Sequence, residues 1–301
     1  MEHTIATSAD GSNTLQLTRF NETYHSRNGA YTEATHIYIK CGLEYLFEKG
    51  LERDSGTSAG NTCPTAGTPA NTAPASGINI FDVGLGTALN CILAWCWQQQ
   101  QIRAGKPYPQ IAYYGIEKYP IQPHEALLMN YPQIIAEHME NLPDKNNNTH
   151  GSFIKSLLKP ENTPRKYRSL STEEITSAFE KIHTCEWGRN IEITPGFILQ
   201  KNHADITELK HEYFKGCEYE GKPSAIFYDT FSPATQPELW DEKIFRTIAD
   251  GCARGSVLTT YCSKGSVKQA LRNAGYTLER LSGPPGKRHI LRGILCEKGT
   301  V

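Results

Sequence analysis

The stretch INIFDVGLGTALNCILAWCWQQQ, at residues 78–100, constrains the fold of this chain more than any other. It begins as an apolar run of strand length, turns at Gly84 and Gly86, and continues with apolar residues at helical spacing. A second unit of the same kind follows, with a strand in IAYYGIEKYP that ends at Glu117 and a helix in HEALLMNYPQIIAEHM. This β-α-β-α order predicts a doubly wound, mostly parallel, Rossmann-like sheet with right-handed crossovers.

The remaining pattern extends this sheet and divides the chain into regions. Further strands are predicted in IEITPGFILQ, PSAIFYD and GSVLTTYC, and the closing segments YTLERL and HILRGIL predict an antiparallel end. Residues 1–50 predict a small N-terminal β-rich extension packed on the core, in which an alternating segment passes into a helical one. Residues 52–77 predict a flexible low-complexity loop, and residues 78–301 the main domain, with an irregular insertion around 142–175.

Composition limits the classes of function. Lys and Arg number 31 against 32 acids, so the net charge of -1 predicts no general attraction to nucleic acid, and a polyanionic partner requires a local basic patch. The nine cysteines include no C-x-x-C pair and no zinc-type spacing, which favours a reducing compartment and predicts no metal site. The segment MEHTIATSAD is polar and lacks the apolar h-region of a signal peptide, and no apolar run approaches the roughly 18 residues of a membrane span. We therefore expect a cytoplasmic protein.

The glycine turn indicates which cofactor the fold holds. The dinucleotide fingerprint requires a third glycine or alanine where this chain has Leu89, which disfavours NAD or FAD without excluding them. The lysine and Ser/Thr of a P-loop are also missing. A strand-terminal acid, Asp82, just before the glycines suits a cofactor with a positively charged amino group or sulfonium. S-adenosylmethionine is such a cofactor.

Three further acids follow predicted strands. Glu117 ends the second strand, next to the glycine turn, where a carboxylate can accept both hydroxyls of a ribose. Asp205, in NHADITEL, is placed to bind an adenine amino group, although Asp82 and Asp205 also suit helix capping or turn chemistry. Asp229 ends the strand in AIFYDTFSP and can orient an amine nucleophile and accept its proton. The alternative, a cap for the helix near Pro237, is disfavoured by the distance along the chain.

Aromatic and basic residues near these acids suggest a nucleic-acid substrate. Phe231 can stack on an extruded base or can belong to the core. The segment SGPPGKRHILRG contains a candidate phosphate-binding patch of Lys287, Arg288, His289 and Arg292. A second candidate, PRKYRS, contains Arg165, Lys166 and Arg168. Short basic runs of this kind are also common on ordinary solvated surfaces.

A family resemblance runs through these segments in order, from about residue 20 to 293. It is carried by NETYHSRNGAYTEATHIYI, FDVGLGTALN, YYGIEKYPI, FYDTFSPATQPELW, SVLTTYCSKGSVKQALRNAGY and GPPGKRHILRG. Together they resemble the methyltransferase of the MnmC/MnmD family, which completes 5-methylaminomethyluridine at the wobble position of tRNA. Each segment is loose by itself, and the combination is specific.

The resemblance implies a class I S-adenosylmethionine-dependent methyltransferase that methylates the primary amine of 5-aminomethyl-(2-thio)uridine. It implies a catalytic role for Asp229 and contacts to the tRNA anticodon arm through Phe231 and the basic residues Lys287, Arg288 and Arg292. The cofactor-binding residues that it implies are Asp82, Gly84, Gly86, Thr87, Asn90, Glu117, Lys118 and Asp205.

The chain departs from the family pattern in two respects. Ala88 stands where a glycine is common in the turn. Some members carry a fused FAD-dependent oxidase for which 301 residues are too few, so we expect this chain to act without FAD, without a metal and without an obligate protein partner. Two alternatives stay open: a methyltransferase for a small-molecule amine, and a catalytically inactive relative that binds tRNA.

Overall fold

The computed structural model describes residues 3–17, 22–56, 75–140 and 169–296. Most of the predicted loop at 52–77 and most of the predicted insertion at 142–175 lie outside these residues, as does the basic segment at 164–168. The parts that are described belong to regular elements. Residues 52–56 end a helix, residues 75–77 begin a strand, and residues 172–175 begin a helix.

Two sheets occur within the described residues. The small one is antiparallel and consists of His3–Thr7 (β1), Asn13–Leu17 (β2) and Glu22–Thr23 (β3). The strands of the large sheet are Ala75–Val83 (β4), Pro109–Glu117 (β5), Asn190–Thr194 (β6), Phe197–His203 (β7), Ser224–Tyr228 (β8), Val257–Thr260 (β9), Tyr276–Ser282 (β10) and His289–Leu295 (β11). Their order across the sheet is β10-β11-β9-β8-β4-β5-β7-β6.

The strand directions confirm the predicted doubly wound fold. Strands β7, β5, β4, β8 and β9 are parallel to their neighbours, while β11 is antiparallel to β9 and β10 is antiparallel to β11. One predicted strand was wrong: IEITPGFILQ is a hairpin, in which β6 pairs antiparallel with β7. The chain reverses at Pro195 and at Gly196, which has a φ of +80°.

Helices cover both faces of the large sheet. The helices are Ala30–Ala34 (α1), Tyr45–Gly56 (α2), Leu89–Arg103 (α3), Pro123–Ala126 (α4), Tyr131–Glu140 (α5), Thr172–Thr184 (α6), His211–Lys215 (α7), Glu242–Gly251 (α8) and Gly265–Asn273 (α9). A π-helical segment, Thr35–Glu44, joins α1 to α2 without a break, and a 3₁₀ turn, Pro237–Trp240, precedes α8. The N-terminal helices pack with α3, α5 and α6 on one face, and α7, α8 and α9 pack on the other.

The sheet of β1, β2 and β3 agrees with the predicted N-terminal β-rich extension. The alternating segment of that region, HIYIK, is itself helical and lies in the π-helical segment, where Ile37, Tyr38 and Ile39 are all buried. A Cβ atom on Gly42 would lie 3.0 Å from the hydroxyl oxygen of Thr259 and 3.2 Å from the ring of Phe227. The segment therefore runs directly over β8 and β9, and this packing overrides the local alternation.

The described residues contain no membrane-spanning helix and no cluster of metal ligands. None of the helices in these ranges is long and apolar enough to cross a membrane. No group of three or more His, Cys, Asp or Glu side chains in these ranges is arranged to hold a metal ion. The described cysteines are all free thiols.

Candidate active site

An open cleft lies over the carboxyl ends of β4, β5, β7 and β8. Residues at or just beyond the end of each strand line the cleft: Gly84 and Gly86 after β4, Glu117 as the last residue of β5, Asp205 after β7 and Asp229 after β8. Because parallel strands bring their carboxyl ends to one edge, this is the position at which such sheets bind ligands.

The glycine turn brings the backbone close to the neighbouring strand. Gly84 has a φ of +95°, and a Cβ atom there would lie 2.5 Å from the carbonyl oxygen of Asp229. Gly86 has a φ of +50°, and its Cβ would lie 3.0 Å from the ring of Tyr24. Ala88, at the start of α3, also has a positive φ, of 56°, which side chains other than glycine seldom adopt. The backbone of the turn therefore packs closely against Asp229 and lines the bottom of the cleft.

Glu117 fixes the turn and faces the cleft. One carboxylate oxygen accepts the amide of Gly86 at 2.9 Å, and the other accepts the amide of Tyr119 at 2.8 Å. Burial raises the pKa of Glu117, and these backbone hydrogen bonds counter that shift. Each oxygen of an ionised carboxylate keeps a further lone pair, so Glu117 can also accept two hydroxyl groups of a ligand.

Asp205 and Lys118 form an ion pair at the rim of the same cleft. The Lys118 ammonium lies 2.6 Å from one oxygen of Asp205, and the other oxygen accepts the amide and the hydroxyl of Thr207 at 2.9 and 2.8 Å. Partial burial alone would raise the pKa of Asp205, but the bonds from Lys118 and Thr207 lower it below its ordinary value. The structure thus brings both residues together with Glu117.

Asp229 is the most enclosed acid in the cleft, and its side chain is only 10% exposed. It accepts the side-chain amide of Asn90 at 2.9 Å. Burial raises its pKa, while the phenol of Tyr38, the amide of Asn90 and the charge of Lys287 act in the opposite direction. The Tyr38 hydroxyl is buried beside Asp229. The net effect is a raised pKa, so Asp229 is a buried carboxyl group that is more basic than an ordinary aspartate.

Three residues that were expected to bind cofactor, Asp82, Thr87 and Asn90, do not line the cleft, and Asn90 is buried with its side-chain amide on Asp229. Asp82 is fully buried, accepts the Tyr113 hydroxyl at 2.6 Å, and has a pKa well above its usual range because of burial. Thr87 is also fully buried, and its hydroxyl lies 2.8 Å from that of Tyr131. The side chains of Asp82 and Thr87 do not line the cleft, so Asp82 is not placed to contact a sulfonium there. Both side chains instead pack beneath the glycine turn.

Phe231 lines the cleft together with an aromatic residue that the sequence analysis did not single out. The rings of Phe231 and Tyr24 meet edge to face, with 5.2 Å between their centroids. Tyr24 directly follows β3, and Glu22 in that strand accepts the amide of Ser232 at 3.2 Å. The small N-terminal sheet is thereby fastened to the loop that carries Phe231.

The residues of the predicted basic patch lie in different environments and do not form one phosphate-binding surface. Lys287 turns inward, with its ammonium 2.7 Å from Glu33 and 4.3 Å above the ring of Tyr261. Arg288 is exposed. Arg292, on β11, does not contribute to a phosphate patch, because its guanidinium is engaged within the protein. It contacts Glu279 at 2.6 Å, the carbonyl of Cys41 at 3.2 Å and the ring of Tyr45 at 3.5 Å.

His25 and Tyr38, which were not predicted from the sequence, approach Asp229 from the N-terminal region. The ring Nδ1 of His25 lies 4.0 Å from a carboxylate oxygen of Asp229. Both residues stand in the quoted segment NETYHSRNGAYTEATHIYI, where polar and aromatic residues are frequent. That composition was the available signal, since no spacing rule linked either residue to Asp229.

Comparisons with known proteins agree with this geometry. A family model described as S-adenosyl-L-methionine-dependent methyltransferase matches residues 206–295. Two relatives are named tRNA 5-methylaminomethyl-2-thiouridine biosynthesis bifunctional protein MnmC. The one from Nitrosospira multiformis is 24% identical over 291 residues, which are 93% of this chain and 35% of that protein. The one from Burkholderia multivorans is 24% identical over 291 residues, which are 96% of this chain and 34% of that protein.

Among solved structures, the crystal structure of MnmC2 from Aquifex aeolicus is similar in fold. Its TM-score is 0.59 at 21% identity, and the match covers 100% of this chain and 72% of that one. The chain thus spans about a third of the length of the two MnmC relatives described above. The chain is thus similar over most of its length to MnmC proteins, its residues 206–295 match a family of S-adenosyl-L-methionine-dependent methyltransferases, and its fold is similar to that of MnmC2.

Proposed function

We propose that this chain transfers a methyl group from S-adenosylmethionine to the primary amine of 5-aminomethyl-(2-thio)uridine at the wobble position of tRNA. One observation carries the proposal. A single cleft joins two residues suited to a nucleoside, Glu117 and Asp205, to a buried acid and an aromatic ring, Asp229 and Phe231. The proposed products are 5-methylaminomethyl-(2-thio)uridine and S-adenosylhomocysteine.

The cleft fits S-adenosylmethionine by its shape and by its donors and acceptors. Gly84 and Gly86 line the cleft and carry no side chains, so a ligand can approach the backbone of the turn. We propose that Glu117 accepts the two ribose hydroxyls and that Asp205, paired with Lys118, lies at the adenine end. The cofactor, when bound, supplies a methyl group already activated by its sulfonium.

The protein's own contribution to the chemistry centres on Asp229. A free alkylamine is mostly protonated near neutral pH, and only the neutral form has a lone pair to offer. In the proposed reaction Asp229 accepts an N–H of the neutral amine and takes up the proton that the nitrogen loses after it gains the methyl group. Burial suits the carboxylate to this task, because a raised pKa makes it a stronger base. Enclosure also holds the reacting groups in line.

The choice of tRNA rests on the relatives' names and on the rim of the cleft. The MnmC relatives are named for 5-methylaminomethyl-2-thiouridine biosynthesis in tRNA. At the rim, Phe231 and Tyr24 offer an aromatic edge on which an extruded base can stack, and Arg288 offers an exposed positive charge. We propose that these groups meet the anticodon arm, and that the protein works in the cytoplasm.

A specific observation supports a second candidate, the methylation of a small-molecule amine. Of the predicted basic residues, Lys287 and Arg292 form ion pairs within the protein, and the net charge of the chain is -1. Of the three basic residues Lys287, Arg288 and Arg292, Arg288 is therefore the one left exposed to bind phosphate. Binding of tRNA that falls steeply with added salt would favour the tRNA reaction, because released counterions are the mark of phosphate contact.

The test uses bulk tRNA from cells that lack this final methylation. The purified protein is incubated with this tRNA and S-adenosylmethionine, and the digested nucleosides are analysed by mass spectrometry. Conversion of 5-aminomethyluridine species to their N-methyl forms is the expected result. No conversion, with cofactor binding shown by calorimetry, would contradict the tRNA reaction and favour the small-molecule amine. Binding of tRNA without binding of the cofactor would indicate an inactive relative.

A further inference from the structure

His25 is held rigidly beside Asp229. Its side chain is only 10% exposed, its backbone amide donates to the hydroxyl of Thr14 at 3.0 Å, and its carbonyl accepts the hydroxyl of Thr23 at 2.6 Å. The ring meets that of Tyr131 edge to face, with 6.3 Å between centroids. These contacts leave the imidazole little freedom to rotate, so each ring nitrogen has a fixed neighbour.

The two ring nitrogens face different partners. Nε2 lies 2.8 Å from the hydroxyl of Thr87, which in turn lies 2.8 Å from the hydroxyl of Tyr131. Nδ1 faces Asp229, 4.0 Å from the nearer carboxylate oxygen, which is too long for a hydrogen bond. When Nε2 carries the proton and donates it to Thr87, Nδ1 presents a lone pair to the space in front of Asp229.

The imidazole is neutral near neutral pH, which this arrangement requires. Burial lowers the pKa of His25 to about 4. The surrounding charges are mixed: Glu33 and Asp10 favour the protonated ring, and Lys287 opposes it. A neutral imidazole has one donor and one acceptor nitrogen, so with Nε2 protonated the Nδ1 atom of His25 and the Asp229 carboxylate are two hydrogen-bond acceptors 4.0 Å apart.

A neutral primary amine matches this pair of acceptors. Such an amine has two N–H groups and one lone pair. The two acceptors are 4.0 Å apart. If an amine nitrogen lies about 2.9 Å from each of them, the acceptor–nitrogen–acceptor angle is roughly 90°, near the H–N–H angle of an amine. With both N–H groups engaged, the direction of the lone pair is fixed. An ammonium group, by contrast, has no lone pair to direct.

We propose that His25 is the second acceptor for the substrate amine: Asp229 accepts one N–H and His25 Nδ1 accepts the other, so that the lone pair points at the methyl donor. This inference rests on the proposed function and adds to it the selection of primary over secondary amines. In the reaction the lone pair forms the new N–C bond, the C–S bond breaks with its electrons going to sulfur, and Asp229 takes the proton released by nitrogen.

The same pair of acceptors limits the reaction to one methyl group. The product is a secondary amine and, once neutral, has a single N–H. It satisfies only one of the two acceptors, and the other is left buried without a partner, which disfavours a second productive binding mode. His25 therefore acts on specificity as well as on rate.

Replacement of the ring tests the proposal by rate and by product. His25→Phe keeps a ring of similar size and removes both nitrogens, whereas His25→Gln restores one acceptor oxygen and one donor amide. We expect His25→Phe to lower kcat by about tenfold or more, with unchanged affinity for S-adenosylmethionine and an increased share of the dimethylated nucleoside. We expect His25→Gln to recover much of the rate. The control is His211→Phe, because His211 is an exposed histidine paired with Glu212 in another part of the fold.

The outcomes separate this inference from the proposed function. Wild-type protein that methylates no aminomethyluridine contradicts the proposed function, and the inference falls with it. Active wild-type protein with a His25→Phe variant of equal kcat and strictly monomethylated product overturns the inference alone. If His25→Phe does not fold, the wild type is given tRNA that already carries 5-methylaminomethyluridine. Rapid dimethylation would overturn the proposal, and conversion at least about tenfold slower than that of the primary amine supports it.

Discussion

The two walls of the cleft are built in different ways. The cofactor wall, defined by Gly84, Gly86, Glu117 and Asp205, is formed at the carboxyl ends of neighbouring parallel strands. The acceptor wall is Asp229, which lines the cleft, with His25, Tyr38 and Lys287 packed around it behind the cleft surface, and it combines the N-terminal region with a turn near the C-terminus.

This difference explains why one wall was predicted and the other was not. The topology of a parallel sheet forces the ends of β4, β5 and β7 together, so a pattern of strands predicts which residues meet there. The acceptor wall depends on how the π-helical segment lies across β8 and β9, which is decided by close packing at positions such as Gly42. The proposed cofactor site is thus formed by the ends of the sheet strands, whereas the proposed substrate site also requires the N-terminal region and the turn that carries Lys287.

The largest expected effect is on the acid that both walls share. Asp229→Asn keeps the shape of the side chain and removes its ability to take a proton. We expect kcat to fall by about a hundredfold or more, with the dissociation constant of S-adenosylmethionine little changed. Single-turnover methylation and calorimetry measure the two quantities. A variant with near wild-type turnover would remove Asp229 from the chemistry.

The cofactor wall is tested next by Glu117→Gln. Loss of charged hydrogen bonds to two ribose hydroxyls should weaken S-adenosylmethionine binding by roughly 10- to 100-fold. Because the amide oxygen can still accept the Gly86 or Tyr119 amide, the turn itself should survive. Calorimetry gives the affinity, and thermal unfolding serves as the control. An unchanged dissociation constant would contradict the ribose assignment.

The acceptor wall is tested by Lys287→Met, through the pH dependence of the rate. The positive charge of Lys287 lowers the pKa of Asp229 against the effect of burial. Its removal should raise that pKa, so a smaller fraction of Asp229 is ionised at a given pH and the acid limb of the kcat/KM profile moves to higher pH. A profile whose acid limb stays in place, or moves to lower pH, would show that Lys287 does not act on Asp229.

A matched pair of arginines tests the rim of the cleft. Arg288 is exposed, whereas Arg292 is engaged by Glu279, Cys41 and Tyr45. We expect Arg288→Ala to weaken tRNA binding by a factor of a few and to reduce its salt dependence. Arg292→Ala should lower the melting temperature and leave tRNA affinity nearly unchanged. Equal effects of the two changes on tRNA affinity would contradict the division of the basic turn.

The smallest expected effect concerns the backbone of the glycine turn. Ala88 adopts a left-handed conformation, with a φ of 56°, at the start of α3. Glycine adopts this conformation without steric cost, so Ala88→Gly should raise the free energy of unfolding by up to about 1 kcal/mol. Urea unfolding measures the change. A loss of stability would mean that the buried methyl group contributes more through packing than the conformation costs.

Much of the fold and part of the site follow from sequence, and the exceptions have physical causes. The strands and the antiparallel end are predicted by apolar runs and turn residues, and Glu117, Asp205 and Asp229 by their place after strands. The orientation of Asp82 was not predictable, because β4 is buried on both faces and shows no alternation that would indicate a side. The inward turn of Lys287 depends on Glu33, a residue 254 positions away along the chain.

The central claim, that one cleft joins a cofactor wall to an acceptor wall, is tested most directly by a crystal structure with S-adenosylhomocysteine. The account predicts ribose hydroxyls on Glu117, the adenine toward Asp205, and the sulfur directed toward Asp229 across the turn formed by Gly84 and Gly86. A nucleoside bound elsewhere, or one whose sulfur points away from Asp229, would contradict it.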